Sequence, residues 1–263
     1  MPIEFIKNFR VHDQQAFGEI AYEVMEEAFQ AHNKLGRFFD EDAYQHEVAH
    51  ALGSRAKIEV PILVKHADFS KTCFIDLLVD HGAIFELKTV GHLTDEHRAQ
   101  LISYLLLTGG RHGKLINFRP ERVEHEFVNT TLTHADRTSF QVDDSAWDNS
   151  VEQAPEIRRR VEAFLRDWGT GLELQLYVEA LTHFLGGEDQ VVREIEVVSE
   201  GRVISHQKVR CAGAEATFKI TALTDRLESF ESNAMKFLHH THLKHMLWIN
   251  VNLQTVTLKT LTK

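Results

Sequence analysis

The stretch FIDLLVDHGAIFELK, residues 74–88, reads as two apolar runs of strand composition around a turn, with charged residues where a buried strand would carry apolar ones. If Asp80-His81-Gly82 is a three-residue hairpin loop with Gly82 in the left-handed position, Val79 pairs with Ala83. That register sets Asp76 opposite Glu86, and paired residues share a face. Lys88, two residues beyond Glu86, joins them. A two-residue loop would instead send Asp76 and Glu86 to opposite faces, because a slip of one residue inverts the pleat. Two carboxylates and an amine on one face make an oxygen-rich site of the kind Mg²⁺ takes. The alternative is a cross-strand salt bridge on an exposed sheet, which is common and worth little.

Upstream, IAYEVMEEAFQAHNKLG (20–36) and DEDAYQHEVAHALG (40–53) carry apolar residues at helical spacing and end on glycine. Glu41 lies three residues before Tyr44 and seven before Val48, so its carboxylate shares their apolar face and can approach the hairpin. A buried carboxylate needs a partner or a metal. The same helix holds His46-Glu47-Val48-Ala49-His50, the HExxH pattern of zinc hydrolases. Tyr44, Val48, Ala51 and Leu52 form the apolar face, which turns His46 and His50 towards water. The extended zinc pattern also fails, because position 56 is Ala56. A solvated helix face is preferred over a zinc site.

Downstream, KIEVPILV (57–64) supplies a further strand, Thr94 caps a helix with Asp95 and Glu96 in its first turn, and KLINF (114–118) is the last strand. The order is helices, three strands, helix, strand, which implies a mixed sheet with a right-handed final crossover. On the helix, Gln100 and Tyr104 stand one turn apart, a polar pair that suits a site better than a core.

These residues together resemble a known family. Asp76, nine residues, then Glu86-Leu87-Lys88 is similar to the PD-(D/E)XK nuclease superfamily, and Gln100-x3-Tyr104 to the QxxxY motif of its RecB-like branch. LGRFFDEDAY, FIDLLVDHGAIFELKTV, AQLISYLLLTG and KLINF resemble the bacterial GxxExxY proteins of that superfamily over about residues 17 to 128. Phe38 stands where that motif has Gly, and Ile75 where the superfamily often has Pro. The resemblance implies an α-β-β-β-α-β core and hydrolysis of DNA phosphodiester bonds. Asp76, Glu86 and the Leu87 carbonyl would hold Mg²⁺ or Mn²⁺, with Glu41 assisting. Lys88 would orient the attacking water, and Gln100 and Tyr104 would position water or backbone.

Compared with itself at an offset of 133, the chain repeats. Gly36, Tyr44, His50 and Gly53 fall on Gly169, Tyr177, His183 and Gly186, and Ala83, Phe85, Leu105, Thr108, His112, Ile116 and Asn117 fall on Ala216, Phe218, Leu238, Thr241, His245, Ile249 and Asn250. Asp76, Glu86, Lys88, Gln100 and Glu41 fall on Val209, Lys219, Thr221, Asn233 and Leu174, so each candidate catalytic group is lost. The expectation is a nuclease-like domain over 1–139, a linker at 140–155 and a degenerate copy over 156–263, the two forming an intramolecular pseudo-dimer.

Composition sets the bounds. The 263 residues, 43% hydrophobic, are enough for two ordinary cores. No run of 18 apolar residues and no cationic-then-apolar leader is present, which points to a cytoplasmic protein without a membrane role. Cys73 and Cys211 stand apart with no metal spacing and read as apolar filler. Seventeen histidines include the tract LHHTHLKH (238–245), read as a solvated helix face rather than a metal trap. The net charge of −10 excludes a general nucleic-acid coat but not a local cleft for DNA. A catalytically silent module binding nucleic acid or a protein partner is the competing reading.

Overall fold

The computed structural model describes residues 3–263, which fall into two compact units, Met1–His134 and Ala135–Lys263.

In the first unit, β1 (Ile3–Glu4) precedes α1 (Gln14–Leu35), α2 (Glu41–Leu52), β2 (Ala56–His66), β3 (Phe69–Val79), β4 (Ala83–Lys88), α3 (Asp95–Thr108), β5 (His112–Asn117) and β6 (Glu124–Asn129). The Asp13 side chain caps α1 by accepting from the Ala16 N–H at 2.9 Å, and the helix stops at Gly36. All six strands form one sheet in chain order. Only β4 and β5 run parallel, because α3 carries the chain back between them. The β-β-β-α-β order expected after the helices is present. β1 and β6 are additions, and β2 and β3 run to a tight turn at Ala67-Asp68 that the sequence reading did not include.

Leu77, Val79, Phe85 and Leu87 sit in one core with Phe17, Val24 and Ala28 of α1 and Tyr44 and Val48 of α2. Strand alternation therefore turns Asp76, Leu78, Ile84, Glu86 and Lys88 to the other face. Tyr44 stacks on Phe118 at 4.4 Å and donates its hydroxyl to the Gly36 carbonyl at 2.7 Å, which ties the α1–α2 turn to the helix that follows. Asn117 does the same for the strand end after β4: its amide donates to the Val90 carbonyl at 2.8 Å and its oxygen accepts from the Val90 N–H at 3.0 Å.

In the second unit, α4 (His134–Thr138), lying at the boundary, and β7 (Gln141–Ala146) precede α5 (Ala154–Trp168), α6 (Leu174–Phe184), α7 (Glu188–Val191), β8 (Val192–Ser199), β9 (Arg202–Arg210), β10 (Ala216–Thr221), α8 (Leu227–His239), β11 (His245–Val251) and β12 (Thr255–Thr262). The stretch 140–155, expected as a linker, instead contributes β7 to the sheet ordered β10-β11-β12-β7. β10 and β11 are parallel, as β4 and β5 are. β8 and β9 form a separate two-stranded hairpin.

Several identities at the 133-residue offset prove to be clamps. Tyr177 donates to the Gly169 carbonyl at 2.6 Å, Asn250 brackets the Leu223 N–H and carbonyl at 2.7 and 2.9 Å, and Thr241 bonds the Leu238 carbonyl at 3.3 Å. The LHHTHLKH tract spans the end of α8, a turn and the start of β11, not one helix face. His239, His240 and His245 are hydrogen-bonded to Met235 O, Val198 O and Thr262 Oγ1. No helix among the described residues is long and apolar enough to cross a membrane.

Candidate active site

The β3–β4 register runs Val79 to Ala83, Leu78 to Ile84 and Leu77 to Phe85, and by alternation the next residues, Asp76 and Glu86, share the opposite face. Its turn is built differently from the expectation. Asp80 and His81 take the left-handed conformation, at φ 48° and 64°, whereas Gly82 does not. Gly82 is needed for space: a Cβ there would lie 1.8 Å from the Arg10 carbonyl oxygen, in the segment whose Arg10 N–H donates to His81 O at 2.9 Å. Arg55 fixes the other side of the turn, with its guanidinium 2.6 Å from Asp80 Oδ2.

On the face away from α1 and α2, the charges converge. Lys88 Nζ donates to Glu86 Oε1 and to the Leu87 carbonyl, both at 2.7 Å, and lies 3.6 Å from Asp76 Oδ2 and 3.8 Å from Glu41 Oε2. Asp76 Oδ2 also accepts the Leu87 N–H at 2.8 Å. The ammonium thus sits among the very oxygens expected to hold a metal. Glu86 is fully buried, and its second oxygen, Oε2, has no hydrogen-bond partner. Glu41 is the first residue of α2 and stays partly exposed, so it reaches the site at the rim rather than from the buried helix face. Gln100 Nε2 donates to the Tyr104 hydroxyl at 3.0 Å, and the nearby Glu86 charge adds to burial in pushing the Tyr104 pKa up.

Three carboxyls share one ammonium in a poorly solvated place, and their protonation follows. Burial raises Glu41 to about 7 against the pull of Lys88, with Asp76 and Glu59 adding repulsion. Burial also raises Asp76, and burial with the Asp76 charge holds Glu86 well above the usual carboxylate range. Burial disfavours the Lys88 ammonium, but Glu86 and Asp76 outweigh it and the Lys88 pKa is raised.

Two contributors escaped the sequence reading. Gln45, 5% exposed, donates to the Asp76 carbonyl at 2.6 Å and to Glu59 Oε1 at 2.8 Å. Glu59 falls between the Ile58–Leu77 and Val60–Ile75 pairs of the β2–β3 ladder, where the ladder skips it and Asp76, and takes φ 50°, a strained conformation for a residue with a side chain. The turn at Ala67-Asp68 was the available signal, since it fixes that register. Of the two departures from the family pattern, Phe38 is 81% exposed and Ile75 is buried, and both leave the charged groups in place. His46, His50 and Ala51 are all exposed, so Ala51 does not join the apolar face.

An α/β unit with a carboxylate–lysine pocket where an antiparallel hairpin meets a parallel strand pair defines the class of fold and site. Residues 18–129, from α1 through β6, match the family model of the PD-(D/E)XK nuclease superfamily. Neither the curated proteins nor the solved structures contain a match to the chain. Among the described residues, no group of three or more His, Cys, Asp or Glu is placed to hold a metal as it stands, His46 and His50 included. In the carboxylate pocket the physical reason is Lys88, which fills the space between the oxygens. The donor set itself fits a hard cation: buried carboxyls in excess of cationic charge, a backbone carbonyl, and an unpaired Glu86 oxygen.

Proposed function

We propose that the first unit is a metal-dependent nuclease that hydrolyses DNA phosphodiester bonds at the Asp76/Glu86/Lys88 pocket. One observation carries the reading: a single ammonium is held by the two carboxylates of the hairpin and the carbonyl between Glu86 and Lys88, beside a buried carboxylate oxygen that nothing satisfies. Asp76, Glu86 and the Leu87 carbonyl would hold Mg²⁺ or Mn²⁺, with Glu41 bound directly or through water. When bound, the ion supplies charge neutralisation at the phosphate and lowers the pKa of a water molecule.

The chain's own groups do the rest. Lys88, released from the carboxylates, turns its ammonium to the attacking water and to the charge developing on the phosphate oxygens. Glu41, at the rim 3.8 Å from Lys88 Nζ, would assist at the ion or at a water bound to it. Gln45 steadies the Asp76 backbone, and Gln100 with Tyr104 orients water or the sugar–phosphate chain at the α3 side.

We further infer that the second unit is a copy of the first that has lost this chemistry. The elements from α5 to β12 repeat the order of α1 to β6 near an offset of 133, and the Tyr, Asn and Thr clamps repeat with their backbone partners.

The test is cleavage of linear duplex, single-stranded and circular DNA by the full chain in Mg²⁺, Mn²⁺, Zn²⁺ or EDTA. Cleavage in Mg²⁺ or Mn²⁺ is expected to fall by about a hundredfold or more in Glu86→Ala and in Lys88→Ala. Retained activity in either variant refutes the site. Binding of DNA with no turnover under every condition moves the reading to a silent nucleic-acid-binding module, and neither binding nor cleavage moves it to a silent module for a protein partner, the form that the net charge of −10 favours.

A further inference from the structure

In the second unit the hairpin corresponding to β3–β4 has come apart. β9 and β10 lie in different sheets, and a single bridge, Cys211 to Thr217, just past the end of β9, is what remains of the pairing. The wedge opened between β9, β10 and α8 is a cavity of about 330 Å³, within the range of small-molecule sites. Lys219, which lines it, falls on Glu86 at the 133-residue offset, so the charge at that position is reversed. Lys208 and Arg210 line it too, and no carboxylate does, in a chain of net charge −10.

The cations are available. Lys208 and Lys219 have no ion pair or side-chain hydrogen bond among the described residues. Arg210 has a buried Nε without a hydrogen-bond partner, and its Nη2 lies 3.9 Å from Glu188 Oε1, a carboxylate that is 75% exposed. A buried donor left unpaired costs free energy, which a bound acceptor recovers. Against these cations the α8 wall offers flat apolar surface from Phe230 and Phe237, with Phe230 held by stacking on Trp248 at 4.4 Å. Asn233 adds an amide, which can give and accept hydrogen bonds at one edge of a planar ring.

We propose that this cavity binds a nucleoside monophosphate unit, either free or as the phosphorylated end of a strand. The phosphate meets Lys208, Arg210 and Lys219, the combination of ammonium and planar guanidinium suited to a dianion. The base lies against the phenylalanines with its edge at Asn233. The site stands on the second unit alone and does not require hydrolysis in the first.

Calorimetric titration of the full chain in EDTA tests it, with thymidine and adenosine 5′-monophosphates, thymidine, inorganic phosphate, and a short single strand with or without a 5′-phosphate. One-to-one binding of a monophosphate is expected, weakened about tenfold or more in Lys219→Glu, whose exposed position leaves the fold intact by circular dichroism. Thymidine and phosphate alone should each bind about tenfold more weakly than the nucleotide. Competition by the phosphorylated strand but not by its hydroxyl form assigns a strand end, and no competition by either assigns a free nucleotide. Glu86→Ala should bind as the parent does, which separates this result from failure of the nuclease reading. No monophosphate binding up to about 10 mM, phosphate binding as tightly as nucleotide, or an unchanged affinity in Lys219→Glu overturns the proposal.

Discussion

Lys88 decides the state of the pocket, because it neutralises only part of the charge around it. Without metal, Asp76, Glu86 and Glu41 crowd one ammonium, and the Glu86 oxygen that nothing satisfies marks the strain. Replacing that crowded, poorly solvated carboxyl should therefore help the metal-free fold while destroying the proposed chemistry. Glu86→Gln is expected to raise unfolding stability in EDTA by about 1 kcal/mol and, on the nuclease reading, to abolish the added stability expected of the parent in Mg²⁺. A lower melting temperature in EDTA than the parent's would contradict this. The Glu41 carboxyl gives a pH signature. Its folded pKa, about 7, lies above the unfolded value, so the folded state holds the extra proton and the associated stability is fully present at low pH. That stability drains as pH rises through about 7, by an amount discounted to about 1–2 kcal/mol because the group is partly exposed. On the nuclease reading, metal affinity should move the other way, rising with pH across the same window as Glu41 ionises. Glu41→Gln should flatten both profiles; unchanged slopes would assign the titration elsewhere. The three groups of the hairpin were legible because strand alternation and loop length suffice to bring Asp76, Glu86 and Lys88 together. The orientation of Glu41 was not, since helical periodicity cannot tell a residue buried mid-helix from one at an exposed first turn.

At the level of elements, the hairpin turn shows why the register could be read and the turn itself could not. Three loop residues fix Val79 against Ala83 whatever their dihedral angles. Which residue takes positive φ depends on Arg10, whose carbonyl comes from 72 residues upstream and occupies the space beside Gly82. Gly82→Ala should accordingly cost about 2 kcal/mol or more, because the added carbon meets backbone rather than a flexible side chain. Chemical denaturation reads this directly, and a cost near zero would mean that the Arg10 segment moves aside freely. Gln45 and Glu59 were missed for a related reason. Gln45 falls among apolar neighbours on α2, and its role emerges only from its bond to the Asp76 carbonyl of another element. β6 and β7 went unread because their short polar strands are held in place by partners already formed, not by an apolar pattern of their own.

For the whole molecule, each unit has its own apolar core, one between the helices α1 and α2 and their sheet, the other around Trp248, Leu238 and Ala234. A fragment ending at His134 is expected to fold, as read by circular dichroism and cooperative melting. On the nuclease reading it should keep the turnover rate of the full chain at saturating DNA and show a higher KM, the second unit contributing to binding. Equal KM values would remove that contribution. Identities at the 133-residue offset stood out because several are clamps on backbone groups, Tyr44 and Tyr177 on a glycine carbonyl and Asn117 and Asn250 on the chain after a strand. The linker was misread because polar composition resembles that of a connector even where the backbone enters a sheet. The parted β9–β10 hairpin bears on the history of such a pair. Three substitutions could return the side chains of Asp76, Glu86 and Lys88 to positions 209, 219 and 221, but none of them would re-pair the strands that must carry them to one point. On the reading of the second unit as a lapsed copy, the loss would thus be a one-way step, with later change there free to reshape the opening for another use.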